Sequence, residues 1–401
     1  MPHFCSYSVR GAALVLLLMA GSAAWLLSVS CGTRPLLLGA VLPLTGEYAA
    51  YGVPMRQGIE LAASEVNHEG GVGGRQLELR VKDSGGDPQR AAALALELIE
   101  KDQVPAIIAG GTSAEVLAMA PVASRYGRVL LSPSASSPLL SGAGKYIFRN
   151  YPSDALEGRV MADFAAYTLH AARVLVIASR NTYADGLRNE FSRAFESGQR
   201  STEAISFTPQ KQSYADVAAD AASRSARVQA IYLVGYVSEL APLVLALRAK
   251  GVDRPILTTS AAASGAFIHE LGVNAETIIF PRPSYDPAST DPRTASFVAG
   301  YEARYGNEPD VYAAHAYDAV DILAKIMAEL GPRPDMIRRG LIDLRNYPGV
   351  SGATTFDENG DVVQPYQLCI IAGGRVAPIQ DARLKVLEPL QRKVDSLRFG
   401  R

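Results

Sequence analysis

Short apolar runs alternate with stretches of helical spacing from Leu36 onward, and this alternation constrains the fold more than any other feature of the chain. Strands are predicted at Leu36–Leu42, Gln76–Lys82, Ala106–Ala109, Val129–Ser132 and Tyr146–Arg149, with helices at Val53–Glu69, Pro88–Asp102 and Ala114–Tyr126 between them. That order means βαβ units and a parallel sheet with helices on both faces. In Leu37–Gly52 an apolar run breaks into a Pro/Thr/Gly turn and enters a helix predicted to begin at Val53–Pro54. Proline suits a first turn, where an N–H has no helical partner anyway. Such a connection puts polar groups and Tyr51 at the carboxyl end of a parallel strand, where open α/β sheets bind ligands.

A second alternating series follows. Helices at Ala155–Leu169, Leu187–Ser197, Tyr214–Arg224 and Ser238–Lys250 lead to strands at Val174–Ala178, Ala204–Phe207, Ala230–Val234 and Ile256–Thr259, and Thr277–Phe280 closes the series. Beyond a Pro-rich stretch, Pro281–Pro292, come helices at Thr294–Tyr305, Val311–Leu330 and Asp335–Leu344. Two late strands, Thr354–Phe356 and Tyr366–Ile371, flank the turn Asp357–Gly360. Two series of similar size make two lobes, and 401 residues are enough to give each a core. The tail Ile379–Arg401 has apolar residues at helical spacing and reads either as a helix on a lobe or as a partly ordered tail.

The chain carries 39 basic and 40 acidic residues, so no basic surplus calls for nucleic acid. Residues 1–30 hold one charged side chain, Arg10, then an apolar run, then Ser28-Val29-Ser30 before Cys31, which is the layout of a secretory signal peptide. The run is near the lower limit for an uncleaved membrane anchor. Small residues before Cys31 and a glycine after it look like a lipobox, with Cys31 as the lipidated terminus, although Ser28 stands where leucine is usual. Ordinary cleavage after Ser30 is the other reading. One acylated terminus would tether a soluble domain to a membrane face. Only Cys31 and Cys369 would then remain, so no intramolecular disulfide framework is expected, and Cys369 is expected to be a core thiol.

Two loops draw attention. Gly110–Ser113 follows a strand and opens a helix, so its free N–H groups and the Ser113 hydroxyl form a site for a carboxylate, or else Thr112 and Ser113 merely cap the helix. Ser132–Pro138 follows the next strand and would sit beside it, or else it is an ordinary Ser/Pro-rich loop. Tyr183 and Tyr236 stand at strand ends of the second series, where they either close over a ligand or simply pack. The five histidines have no metal-ligand spacing, and no Cys-x-x-Cys pair, nucleophile elbow, Walker loop or dinucleotide fingerprint appears. Neither a metal nor another cofactor is expected, and no catalytic set.

Taken in order, Leu42–Gly46, Tyr51-Gly52, Gly70–Gly74, Asp83–Pro88, Gly110–Ser113, Ser132–Pro138, Phe148–Pro152, Tyr183–Gly186, Tyr305-Gly306, Ala316–Ala319 and Phe356–Gly360 form a specific pattern. Over Leu36 to Ala377 the chain resembles periplasmic binding proteins of the leucine/isoleucine/valine-binding type, the receptors of branched-chain amino acid ABC transporters. The resemblance implies an α/β fold of two Rossmann-like lobes with parallel sheets, joined by a three-segment hinge. Lobe one is drawn at 36–152 and 281–348, and lobe two at 153–280 and 349–378.

The resemblance also implies that Ser113, Ala135 and Ser136 hold a ligand carboxylate and that Tyr51, Tyr183 and Tyr236 wall the cleft. The family's acid for the ligand ammonium falls on Ser260, a departure. A buried ammonium without an acid is costly. Either another acid substitutes, with Asp185 and Glu47 as candidates, or the ligand is not an α-amino acid. The cysteine pair of some members is replaced by Gly86 and Thr112. The expected protein is an extracytoplasmic, monomeric binder of a small carboxylate- or amide-bearing solute. It closes by a hinge, docks on permease subunits and meets the membrane only through a lipid anchor. A sensor of the same fold and an amidase acting in the cleft are the alternatives.

Overall fold

The computed structural model describes residues 34–209 and 211–382, with Gln391 and Val394. The expected signal segment 1–30, Cys31 and most of the tail lie outside them. Strands β1 (Leu36–Leu42), β2 (Leu77–Asp83), β3 (Ala106–Ala109), β4 (Val129–Ser132) and β5 (Ile147–Arg149) form one sheet in the order β2-β1-β3-β4-β5, every neighbour parallel. A second sheet contains β6 (Arg173–Ser179), β7 (Ser201–Phe207), β8 (Ala230–Val234), β9 (Ile256–Leu257) and β10 (Ile279–Pro283). The hairpin β11 (Tyr347–Gly349) and β12 (Gly352–Thr354) stands apart, and β13 (Tyr366–Ala372) and β14 (Arg375–Pro378) rejoin the second sheet, whose order is β14-β13-β10-β9-β8-β6-β7. There β13 and β14 run antiparallel and the rest parallel.

Strands β3, β4 and β8 are buried along their whole length, which is why they read as unbroken apolar runs. Each sheet reverses its winding once, between β1 and β3 in the first and between β6 and β8 in the second. The crevice outside the carboxyl ends of strands at such a reversal is where ligands bind.

The helix after β1 runs Ala49–His68, so it starts a turn earlier than expected and Pro54 lies inside it. Gly52 permits this: a Cβ there would lie 2.0 Å from the Pro43 carbonyl oxygen, so only glycine lets the helix sit against the turn. Tyr51 therefore rides on the helix rather than on the loop. The helix Val311–Leu330 is largely buried, and its Ala313 carbonyl lies where a Gly58 Cβ would be, 2.3 Å away. The helix predicted at Ala155–Leu169 is α-helical over Asp154–Asp163 and widens into a π-turn at Phe164–Thr168.

Three passages between the sheets follow β5, follow β10 and precede β13. The second and third lie later than the sequence boundaries at 280/281 and 348/349. Strand β10 extends to Pro283 by pairing with β13. Residues after 349 stay with the first sheet because Asp318, on the helix Val311–Leu330, accepts from the Val350 and Ser351 N–H groups at 2.8 Å and from the Ser351 hydroxyl at 2.5 Å. Asp361 then meets Arg149 of β5 in a bidentate pair at 2.7 and 2.9 Å. Cys369 is buried and free, as expected of a core thiol, and burial pushes its pKa up to about 11.

Candidate ligand-binding site

The carboxyl ends of the two sheets face each other across a closed crevice. Tyr51, Gly111, Ser113, Ser134, Ser136, Tyr151, Tyr183, Tyr236, Ser260, Ala261 and Tyr312 line it. Six of the seven residues singled out in the sequence are thus brought together. The seventh, Ala135, packs into the first-sheet core, with its N–H on the Ser132 hydroxyl at 3.1 Å. The walls nearly meet, leaving a cavity of only about 20 Å³. That is room for roughly one or two waters.

Local chemistry sets each side chain. Thr112 caps the helix Ser113–Tyr126: its hydroxyl accepts from the Glu115 N–H at 3.2 Å, while Glu115 accepts from the Thr112 N–H at 2.9 Å. Capping thus falls to Thr112, and Ser113 faces the crevice from the first turn, its hydroxyl accepting from the Ser137 N–H at 3.2 Å. Ser134 ties the two loops together, accepting from the Gly111 N–H at 2.9 Å and donating to the Gly111 carbonyl at 3.2 Å. This wall offers hydroxyls and a helix N-terminus, a good environment for an anion.

The second lobe repeats the device. Glu239, in the first turn of the helix Val237–Ala249, accepts from the Tyr236 N–H at 2.8 Å and from the Ser179 hydroxyl at 2.7 Å. Glu115 likewise takes the Ser84 hydroxyl at 2.5 Å. Both carboxyls are pushed up by burial. Asn181 caps the helix Thr182–Phe195, accepting from the Ala184 N–H at 2.8 Å, and so sets Tyr183 in its first turn.

An aromatic cage spans the crevice. Tyr236 meets Tyr48 and Tyr183 at 5.0 Å between ring centres and Tyr51 at 5.8 Å. Tyr312 meets Tyr51 edge-on at 5.0 Å and stacks on Tyr151 at 5.8 Å. Gly86 admits this arrangement: a Cβ there would lie 2.5 Å from the Tyr48 ring. Tyr312 was missed in the sequence because it sits on a helix far from the strand-end loops and joins them only through packing; Tyr151 stands just past β5, and the chain pattern there gives no sign that its ring enters the crevice.

Among the described residues no charged side chain lines the gap, and neither expected acid reaches it. Asp185 is turned outward onto Arg188 at 3.1 Å, and Glu47 is exposed. Two other acids stand directly behind the wall, in the helix Asp154–Asp163. Glu157 accepts from the Ser260 N–H at 2.9 Å and from the Ser260 hydroxyl at 2.7 Å, and Tyr151 donates to that hydroxyl at 3.3 Å. Asp154 is wholly buried beside Ser136, and neither of its carboxyl oxygens has a hydrogen-bond partner of ordinary geometry. Burial raises both pKa values, that of Glu157 to about 7, and the proximity of Glu157 raises Asp154 further. His315, 5.0 Å from Tyr151 between ring centres, is held neutral by burial, its pKa pushed down to about 3. Among the described residues no group of His, Cys, Asp and Glu is placed to hold a metal ion.

Known proteins share this chain's sequence pattern and fold. The family model for periplasmic binding proteins matches residues 35–375. A Leu/Ile/Val-binding protein homolog of Brucella melitensis is 25% identical over 333 residues, which is 82% of this chain and 89% of that one. The leucine-, isoleucine-, valine-, threonine-, and alanine-binding protein of Pseudomonas aeruginosa is 25% identical over 80% of this chain and 85% of its own. Among solved structures, the leucine binding protein LivK of Thermotoga maritima superposes with a TM-score of 0.79 at 30% identity, covering 86% of this chain and 97% of that one. LivJ of Streptococcus pneumoniae in complex with isoleucine gives 0.79 at 25% identity, over 85% and 97%. This chain belongs to the periplasmic binding protein family.

Proposed function

We propose that the chain is the extracytoplasmic solute-binding component of an ABC transporter and captures a small carboxylate- or amide-bearing solute, similar to a branched-chain amino acid, by hinge closure. The observation that carries this reading is the meeting of two sheet reversals across one hydroxyl- and tyrosine-lined gap, bridged by the Tyr51 hydroxyl and the Val237 N–H at 2.9 Å. Ligand docks on the first lobe through Ser113 and Ser136, with the Ala135 backbone between them. The second lobe closes with Tyr183, Tyr236 and Ser260. The ligand acts by binding the closed state better than the open one. Relatives named for leucine, isoleucine and valine binding support the ligand class. No bond is made or broken and no cofactor takes part. The protein works as a monomer, is exported by residues 1–30, is tethered through Cys31 and presents its closed form to permease subunits.

A thermal-shift screen over amino acids, carboxylates and amides tests this. A ligand at a thousand times its Kd stabilises by about 4 kcal/mol, which a melting curve resolves easily. The expected result is a stabilising solute that also shrinks the molecule in solution scattering. A solute that binds tightly without altering its dimensions would refute closure, and a solute chemically altered on incubation would make the protein an enzyme.

A further inference from the structure

A second cavity lies at the far end of the first lobe, at the amino ends of β1 and β3 and so opposite the crevice. Its volume is about 410 Å³, within the range of small-molecule pockets. Arg75, Arg128 and Arg333 line it, with Asp102 as the acid among them. The Arg75 guanidinium donates to the Arg34 and Pro35 carbonyls at 2.8 and 3.2 Å, which fixes the first described residues of the chain beside the cavity. The Nε of Arg128 is buried and has no hydrogen-bond partner. The ion pairs at this rim belong to other arginines: Asp102 meets Arg80 at 3.8 Å, and Asp335 meets Arg333 at 2.9 Å in a largely exposed pair. Arg34, Arg75, Arg128 and Arg333 thus stand against Asp102 and Asp335, a local surplus of positive charge in a chain whose formal net charge is −1. An anionic surface repels the chain as a whole, so it can be approached only by a face with such a surplus.

We propose that this end of the first lobe rests on the anionic headgroups of the membrane to which Cys31 tethers the chain, with lipid phosphates entering the cavity against Arg128 and Arg333. Chain length places the face there. Four residues separate Cys31 from Pro35, which lines the cavity, and four residues span at most about 14 Å. An acyl group on Cys31 therefore holds the cavity within reach of the headgroup layer. Guanidinium is the side chain best matched to phosphate oxygens, which it takes two at a time. A few arginines are too weak to hold a free protein on a membrane at physiological salt, but the tether raises their effective concentration, so they orient a molecule that is already anchored. The crevice, at the other end of the sheet, then points away from the headgroups. This goes beyond solute capture and rests on the tether through Cys31.

The test uses the Cys31→Ser chain, which carries no lipid, so that it reads the face and not the anchor. Its co-sedimentation at low salt is compared between vesicles of phosphatidylcholine and vesicles of phosphatidylcholine and phosphatidylglycerol in equal parts, the neutral vesicles cancelling any binding by residues 1–30. An arginine near an anionic surface is worth about fivefold in binding, so a preference for the anionic vesicles of roughly tenfold or more is expected, lost as salt rises. Adding Arg128→Gln and Arg333→Gln should remove most of that preference while leaving the melting temperature nearly unchanged. Arg193→Gln with Arg227→Gln removes the same charge from exposed positions on the second lobe and should change the preference less than about twofold. Equal binding to both vesicles would overturn the proposal. An equal loss in the two double variants would also overturn it, because the attraction would then follow net charge and not this face. Inorganic phosphate that stabilises the chain more than chloride of the same ionic strength, with no vesicle preference, would assign the cavity to a free oxyanion and overturn the membrane reading. A vesicle preference carried by Arg128 and Arg333, together with a wild-type Cys31 that bears no lipid, would support the face and remove only the tether.

Discussion

The Tyr51 hydroxyl accepts a hydrogen bond from the Val237 N–H at 2.9 Å, joining the first helix of one lobe to a helix N-terminus of the other. The N–H is one of the donors a helix leaves unsatisfied at its start. In an open cleft water would serve it; in the closed form Tyr51 does. Removing the hydroxyl leaves a buried donor unpaired only in the closed state, a penalty of about 1–3 kcal/mol. Tyr51→Phe is expected to weaken ligand binding roughly tenfold and to expand the ligand-free molecule in solution scattering, with the melting temperature of either lobe little changed. Equal affinity and dimensions would show that the bond does not hold the lobes together.

Ser113→Ala combined with Ser136→Ala tests the carboxylate wall. Each hydroxyl bond to a charged ligand is worth about 1.5–3 kcal/mol, so the double variant should bind at least a hundredfold more weakly. The Ser113 hydroxyl also accepts from the Ser137 N–H, so a stability loss of about 1 kcal/mol accompanies it. Calorimetry and melting curves separate the two, and undiminished affinity would remove these serines from the site.

Much of the frame was legible because burial leaves a plain signature. Strands β1, β3, β4 and β8 have the limits expected of them, since a parallel strand covered on both faces needs an unbroken apolar run. Helix starts were less legible. Thr182-Tyr183-Ala184-Asp185 carries capping and turn chemistry rather than an apolar stripe, so the helix was expected only from Leu187. The hairpin of β11 and β12 has three residues a side, too short for any period, and its place is set by Asp318 from a distant helix. In the site, loops at strand ends could be read from chain order. Tyr312 and Glu157 could not: each sits in a helix whose pattern reads as packing, and its meaning depends on what faces it across the cleft. Ala135 sits beside lining residues in sequence but turns into the core, a matter of side-chain direction.

Glu157 gives the ligand-free protein a readable pH dependence. Burial raises its pKa from the ordinary 4.5 to about 7. The carboxyl of Asp154, on the same helix, faces it, as do the phenols of Tyr151, Tyr183, Tyr232 and Tyr366, while Glu190, on the next helix, acts on Asp154. A raised pKa means that the folded protein holds a proton the unfolded chain has lost, so stability falls as pH rises from about 4.5 to about 7. The loss is on the order of 3 kcal/mol. His315 works in the opposite sense: its pKa is lowered to about 3, so its contribution is present above 6.5 and declines as pH falls. The two oppose each other in wild type and separate in a difference. Relative to wild type, Glu157→Gln is expected to gain stability steadily across pH 4.5 to 7 in denaturant titrations. A constant difference would show that Glu157 is already ionised in the empty cleft.

Cys31→Ser tests the tether. If Cys31 carries the lipid, the variant should leave the membrane fraction and appear in the soluble extracytoplasmic fraction, since a serine terminus cannot be thioether-linked to a diacyl group. Unchanged fractionation would refute lipidation.

Asp318 holds the passage back to the second lobe, and its role predicts a purely structural defect. It is fully buried, its carboxyl is pushed up to about 6 by burial, and it takes three donors from Val350 and Ser351. Gly349 comes so close that a Cβ would lie 2.4 Å from an Asp318 oxygen, so only glycine lets the hairpin sit this tightly against the helix. Asp318→Ala strands those donors and leaves a void, which together cost roughly 3–5 kcal/mol. Asp318→Asn keeps the volume and one acceptor and should cost about half as much. Both variants should lose denaturant midpoint, and at temperatures where they remain folded their ligand affinity should stay within a few-fold of wild type. A large affinity loss in folded Asp318→Asn would instead make the hairpin part of the hinge that closes the cleft.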